Sequence, residues 1–229
     1  MKKIAVITGA SKGIGLSCAK AFLKKGFIVV DASRTEAGKI KNKNYMYVKT
    51  DISKEKDVKV LIEKVIDRFG RIDVLICNAG FGKFANLIDS KTKDFDSMFA
   101  VNVKGVYLSC RYALPHMLEQ KSGTIIIVSS IAGKNGVASA SIYSATKHAV
   151  IGLASSLMAE VRKDNVRVVT VCPGSVDTNF FDQPGTILNS RRETILSPDD
   201  VAAACLLAVE LPQNALMNEI EIRPLMPSK

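Results

Sequence analysis

The chain has 229 residues, 47% apolar and 24% charged, which suits one full-sized core and an ordinary soluble composition. Its formal charge of +10 comes from lysines scattered over many helical stretches, Lys20, Lys24, Lys56, Lys59 and Lys64 among them, so it reads as solvated faces rather than a nucleic-acid-binding stripe. No apolar run approaches the roughly 18 residues of a membrane span, and five scattered cysteines without a C-x-x-C, with only two histidines (His116, His148), argue against disulfides and a metal site.

Met1-Lys2-Lys3-Ile4 leads straight into a strand, so the expectation is a chain without a signal peptide, working in the cytoplasm with reduced thiols. Ile4-Ala5-Val6-Ile7 is that strand, followed by a turn from Thr8 to Gly13 and a helix to about Lys25. Phe27 to Val30 and Tyr45 to Val48 are the next strands. Lys54 to Phe69 has helical apolar spacing (Val58, Leu61, Ile62, Val65, Ile66, Phe69) and should stop at Gly70. Asp73 to Cys77 is a strand, Asp94 to Glu119 mostly helix, Thr124 to Ser129 a strand, Ser141 to Arg162 a helix, and Val166 to Cys172 a strand. A last helix should be capped by Ser197 with Pro198 at its first position, and Glu219 to Ile222 closes the pattern. Strands that are apolar throughout and separated by helices predict a parallel sheet covered on both faces, an α/β domain spanning 1–229. The irregular stretch from Gly174 to Leu196 is long enough to predict a lid or substrate loop, about 174–197.

Two features carry chemistry. Thr8-Gly9-Ala10-Ser11-Lys12-Gly13-Ile14-Gly15 lies between the first strand and first helix, where glycines let the backbone approach a phosphate and helix N–H groups face it. A bare turn is the alternative, and the position favours binding. Tyr143 and Lys147 stand four apart on a helix, hence on one face, with Ser130 thirteen residues upstream. A phenol titrates near ~10, so it needs a neighbouring cation to exchange protons at neutral pH, and Lys147 is placed to be that cation. A second Tyr-x-x-x-Lys, Tyr45 to Lys49, falls on a strand without a suitably spaced serine and reads as structural.

These motifs, with Asn78-Ala79-Gly80 after the fourth strand, Asn102 in the following helix and Pro173-Gly174 after the sixth strand, resemble the short-chain dehydrogenase/reductase family of the basic type over nearly the whole chain. The resemblance implies a Rossmann-type doubly wound, three-layer α/β/α domain. It makes Tyr143 the general acid or base, with Lys147 holding the nicotinamide ribose and lowering the Tyr143 pKa. Ser130 would fix the substrate oxygen, with Ser129 the competing serine, and Asn102 would position a relay water. Cofactor contacts would come from Gly9, Ser11, Lys12, Gly13, Ile14, Gly15, Ser33, Arg34, Asp51, Ile52, Asn78, Ala79, Gly80, Tyr143, Lys147, Pro173, Gly174, Val176 and Thr178.

Asp31 is a candidate for the acid that selects NAD(H). Counting from Gly26, however, the family's acid falls at Ser33, and Arg34 follows. Arg34 and Lys12 could flank a 2′-phosphate with charge-assisted hydrogen bonds of about 1.5–3 kcal/mol each, so NADP(H) is expected over NAD(H). The expected substrate is a small carbonyl or alcohol compound, in a cleft lined by Phe81, Phe84, Gly133 to Val137, Phe180, Phe181, Ile187 and Leu188. Arg191 and Arg192 could attract an acidic substrate or simply solvate a lid. The ending Glu221-Ile222-Arg223-Pro224 lacks the Gly-rich tail of 3-oxoacyl-carrier-protein reductases, which weighs against that role. A non-catalytic dinucleotide sensor is the other alternative. The apolar circumference of the Tyr143 helix, and the family's pairing of it with the Asn102 helix, predict a homodimer or homotetramer, with neither nucleic acid nor membrane as partner.

Overall fold

In a computed structural model, residues 2–36, 38, 40–182, 191–212 and 214–226 are described. Ile187 and Leu188 lie outside them. Seven strands form one parallel sheet in the order β3-β2-β1-β4-β5-β6-β7: β1 Ile4–Thr8, β2 Ile28–Ser33, β3 Tyr45–Lys49, β4 Val74–Cys77, β5 Gly123–Val128, β6 Val166–Pro173 and β7 Glu219–Ile222. The main helices are α1 Gly13–Lys24, α2 Glu55–Phe69, α3 Thr92–Phe99, α4 Gly105–Glu119, α5 Ser141–Val161 and α6 Pro198–Glu210.

Alternation along the strands builds both cores. Ile4 and Val6 of β1, Leu75 and Cys77 of β4, and Ile125 and Ile127 of β5 pack on the layer that includes Leu61, Val106 and Val150. Ala5, Ile7, Val74, Ile76, Ile126 and Val128 point the other way, onto Phe22 of α1 and Cys205 of α6. Because helices cover both faces, the strands read as continuous apolar runs. Each fully buried Ile or Leu contributes about 1.5–3 kcal/mol. All five cysteines are buried free thiols, Cys77 and Cys110 lying 4.0 Å apart across the β4–α4 contact.

Local signals set the ends. Gly70 takes φ +70° and returns its N–H to Ile66 at 2.8 Å, stopping α2. Ser197 and Asp200 exchange side-chain-to-backbone hydrogen bonds at the start of α6, with Pro198 first in the helix. Two elements differ from expectation. Strand β2 runs on through Asp31 to Ser33 because that charged residue, fully buried, accepts hydrogen bonds from Ser33 and Tyr45. The helix expected from Asp94 starts at Thr92 and is interrupted by a π turn, Ala100–Lys104, with Asn102 at its centre. Strand order reverses between β1 and β4, opening a crevice at their carboxyl ends, where ligands of open α/β sheets bind.

Candidate active site

The Gly-rich turn sits in that crevice. Gly9 adopts φ +71°, and a side chain there would come within 2.9 Å of the Ala79 backbone. A Cβ on Gly15 would overlap the Gly9 carbonyl oxygen and lie 2.5 Å from Asn78 Nδ2. Asn78 Nδ2 donates to the Thr8 and Gly9 carbonyls at 3.0 and 3.1 Å, so this side chain braces the turn. No side chain caps the N-terminus of α1, which leaves its N–H groups to an anion. Lys12 and Arg34 are exposed on either side, and Thr178 packs over Gly13, 3.3 Å from where a Cβ would stand.

Several expected cofactor residues also make structural contacts. The Ser11 N–H donates to Ser33 Oγ at 3.2 Å, and Ser33 in turn donates to Asp31. Burial raises the Asp51 carboxyl, but Ser53 hydrogen bonds and the charges of Lys54 and Arg34 outweigh it and hold the group below its usual range. Ile52 buries its side chain with Val58 and Leu108, Val176 belongs to the α6-side core, and the Gly174 N–H pairs with Ile222 of β7 at 2.8 Å. Gly80 faces Asn102, and a Cβ there would stand 3.7 Å from Lys147 Nζ.

The four candidate catalytic residues converge. Asn102 accepts from Phe81 N at 3.0 Å and donates to Phe81 O at 2.8 Å and Thr146 Oγ1 at 3.1 Å, so both its amide protons are used. Thr146 Oγ1 donates to the Tyr143 carbonyl at 2.7 Å, tying the π turn to α5. Ser129 Oγ donates to the Lys147 carbonyl at 3.0 Å and is thereby occupied, whereas Ser130 Oγ donates to the Pro173 carbonyl at 3.5 Å, accepts from Ala132 N at 3.1 Å, and acts on the Tyr143 phenol, opposing its rise. The chain thus brings Ser130, not Ser129, to the phenol. Lys147 is 7% exposed, donates to the Val128 carbonyl at 3.0 Å, and holds its ammonium 5.7 Å from the Tyr143 ring centre.

Burial dominates the electrostatics of the pair. It pushes the Tyr143 phenol up to about 12, with Ser130 opposing. Burial pulls Lys147 down to about 8, with Cys172 opposing. The Lys147 ammonium lies over the Tyr143 ring and donates to the Val128 carbonyl.

Around the phenol, Phe84 and Phe180 each lie 5.6 Å from the Tyr143 ring, and Phe181 follows at 5.3 Å from Phe180. A Cβ on Gly82 would fall 2.7 Å from Phe180 and 3.0 Å from Phe84, so a side chain there would have to push an aromatic ring aside. Gly133 is packed so closely on α5 that a Cβ there would lie 2.8 Å from the Lys147 carbonyl. Arg192 pairs with Asp177 at 2.6 Å and with Asp182, stapling the loop instead of presenting a free cation. Thr146, Gly82 and Cys172 (which accepts from the Ser130 N–H) were missed in the sequence. Thr146 left one signal, a polar residue between Tyr143 and Lys147 on their helix. Among the described residues no group of three or more His, Cys, Asp or Glu could hold a metal, and no helix is long and apolar enough to cross a membrane.

Fold and side chains together define an oxidoreductase on a doubly wound sheet. The chain belongs to the short chain dehydrogenase family, which matches residues 3–186. An uncharacterised oxidoreductase of Staphylococcus aureus (strain MRSA252) is 37% identical over 228 residues, covering 97% of both chains. An alcohol dehydrogenase from the archaeon Thermococcus sibiricus, solved with 5-hydroxy-NADP, is 29% identical with a TM-score of 0.89, covering 98% of this chain and 97% of the other. A 3-ketoacyl-(acyl-carrier-protein) reductase from Brucella melitensis, solved with NADH, is 30% identical with a TM-score of 0.83, covering 96% of each.

Proposed function

We propose that the protein is a cytoplasmic, NADP(H)-linked carbonyl reductase or alcohol dehydrogenase, assembled as a homodimer or homotetramer. The observation that carries the reading is the Tyr143 hydroxyl, influenced by Ser130 and protonated far above neutral pH, inside an aromatic box next to Lys147. When bound, a dihydronicotinamide would supply the hydride to the carbonyl carbon. The carbonyl oxygen takes hydrogen bonds from Ser130 and Tyr143, and the phenolic proton moves to it as negative charge develops. Lys147, charged at neutral pH, then stabilises the phenolate and restores its proton through solvent. Because the Asn102 side chain is occupied, a relay water would be held by the backbone carbonyl of its π turn.

The dinucleotide fits the uncapped N-terminus of α1 and the close backbone approach at Gly9 and Gly15. Exposed Lys12 and Arg34 favour a 2′-phosphate, and the Thermococcus relative carries an NADP derivative. The outward side of α5, with Ala145, Gly152, Ser155, Ser156 and Ala159 exposed, offers small residues for close helix packing between subunits. The test follows absorbance of NADPH and NADH with aliphatic ketones, diketones, aldehydes and 3-oxoacyl thioesters. Turnover that Tyr143→Phe removes while dinucleotide binding persists supports the enzyme. Absence of turnover with every carbonyl would overturn it in favour of a sensor, and preference for the thioesters would make it an acyl-carrier-protein reductase.

A further inference from the structure

Thr146 stands directly before Lys147 on α5 and is wholly buried. A threonine hydroxyl has one proton and two acceptor lone pairs. The proton goes to the Tyr143 carbonyl at 2.7 Å, and one lone pair receives Asn102 Nδ2 at 3.1 Å. Among the described residues, this last contact is the single hydrogen bond that joins α3, the π turn or α4 to α5. The other contacts named between these elements are apolar, with Val103 and Val106 in the same core as Val150 and Ala154. Apolar contact is non-directional and lets helices slide. A hydrogen bond of fixed length sets their register.

That register matters where the two elements meet. A Cβ on Gly80 would stand 3.2 Å from Asn102 Oδ1 and 3.7 Å from Lys147 Nζ, so the turn and the ammonium come up to the same backbone. Buried as it is, the Thr146 hydroxyl has no water to replace a lost partner. We infer that Thr146 is a positioning residue for the reaction: its hydroxyl locks the π turn to the Tyr143–Lys147 face of α5, so that the proton given up by the phenol is replaced from solvent past Lys147 within each turnover. This rests on the carbonyl-reductase reading above and deepens it. Thr146 acts through Asn102 and the Tyr143 carbonyl, not on substrate.

The test uses the full chain and whichever carbonyl compound of the panel above the parent reduces fastest. Thr146→Val replaces the hydroxyl by a methyl, Thr146→Ala removes it without adding bulk there, and Thr146→Ser keeps it. Calorimetric titration with dinucleotide counts competent sites, and kcat is expressed per site. In the Val and Ala variants kcat should fall about tenfold, a modest part of what a positioned proton-transfer group supplies, with KM within about twofold. The Ser variant should stay within about threefold of the parent. At fixed pH and ionic strength, added imidazole buffer should raise kcat of the Val and Ala variants at least about threefold and leave the parent unchanged, because a small acid replaces the missing route. An unchanged kcat per site in Thr146→Val would overturn the inference. So would a loss that imidazole does not restore, or one shared by Thr146→Ser, and Thr146 would then be a structural part of α5. Failure of both Val and Ala variants to bind dinucleotide, with binding kept in Ser, would overturn it in the same way. A parent chain that reduces no carbonyl would overturn the underlying reading, and the inference with it, before any variant is compared.

Discussion

Asn102→Ala removes the amide that clamps the Phe81 peptide and Thr146. Three contacts go at once: the Phe81 N–H loses its acceptor, the Phe81 carbonyl its donor, and Thr146 Oγ1 its donor. Each buried polar group left unpaired costs about 1–3 kcal/mol, and the partly exposed Phe81 backbone recovers some of this from water. A total near 3 kcal/mol follows, a large share of the roughly 5–15 kcal/mol that holds a domain folded. With a urea slope of about 3 kcal/mol per molar, the midpoint should fall by about 1 M. Urea unfolding followed by far-ultraviolet circular dichroism reads this directly. A midpoint shift below about 0.3 M would refute the reasoning, because the clamp would then carry no net free energy.

Tyr143→Phe should cut carbonyl reduction by about 10²–10⁴-fold, the worth of a positioned proton donor, while calorimetric dinucleotide affinity stays within about twofold. Gly82→Val must push Phe180 or Phe84 aside, so kcat/KM for ketones should fall at least about tenfold with the unfolding midpoint little changed, as paired kinetic and melting assays would reveal. The folded Lys147 pKa, about 8, lies below its unfolded value near ~10.4, so the unfolded chain binds more protons between these limits and stability rises with pH there. That contribution should approach about 2 kcal/mol between pH 8 and 10, and Lys147→Met should remove it from a series of urea titrations. Tyr143 has the opposite sign: its folded pKa of about 12 exceeds the unfolded value near ~10, so its contribution falls as pH rises between them.

The parts of the fold visible in the sequence were those set by local rules. Helix α2 ends at Gly70 because a left-handed residue is needed there, and α6 begins with Ser197 and Pro198 because those residues satisfy or omit the first N–H groups. Tyr143 and Lys147 share a face through helical spacing alone. What stayed hidden depends on residues far apart in the chain. Asp31 was legible as an acid near the end of the second strand, but not its burial, which only Ala10, Ser33 and Tyr45, brought together by the sheet, make tolerable. The π turn at Asn102 has no local signature. It is held by bonds to Phe81 and Thr146, and Thr146 is 44 residues away. The rise of the Tyr143 phenol and the fall of Lys147 follow from burial depth, which spacing does not encode.

The five sequestered sulfurs give the molecule an internal clock. Cys77, Cys172 and Cys205 all have thiols raised above their ordinary range: hydrogen bonds between neighbouring thiols and burial act on Cys77 and Cys205, and burial dominates at Cys172. A maleimide or disulfide reagent meets no accessible sulfur while the chain is folded. Labelling therefore advances only when the polypeptide opens, so the pace of modification counts openings of the whole sandwich without any engineered probe.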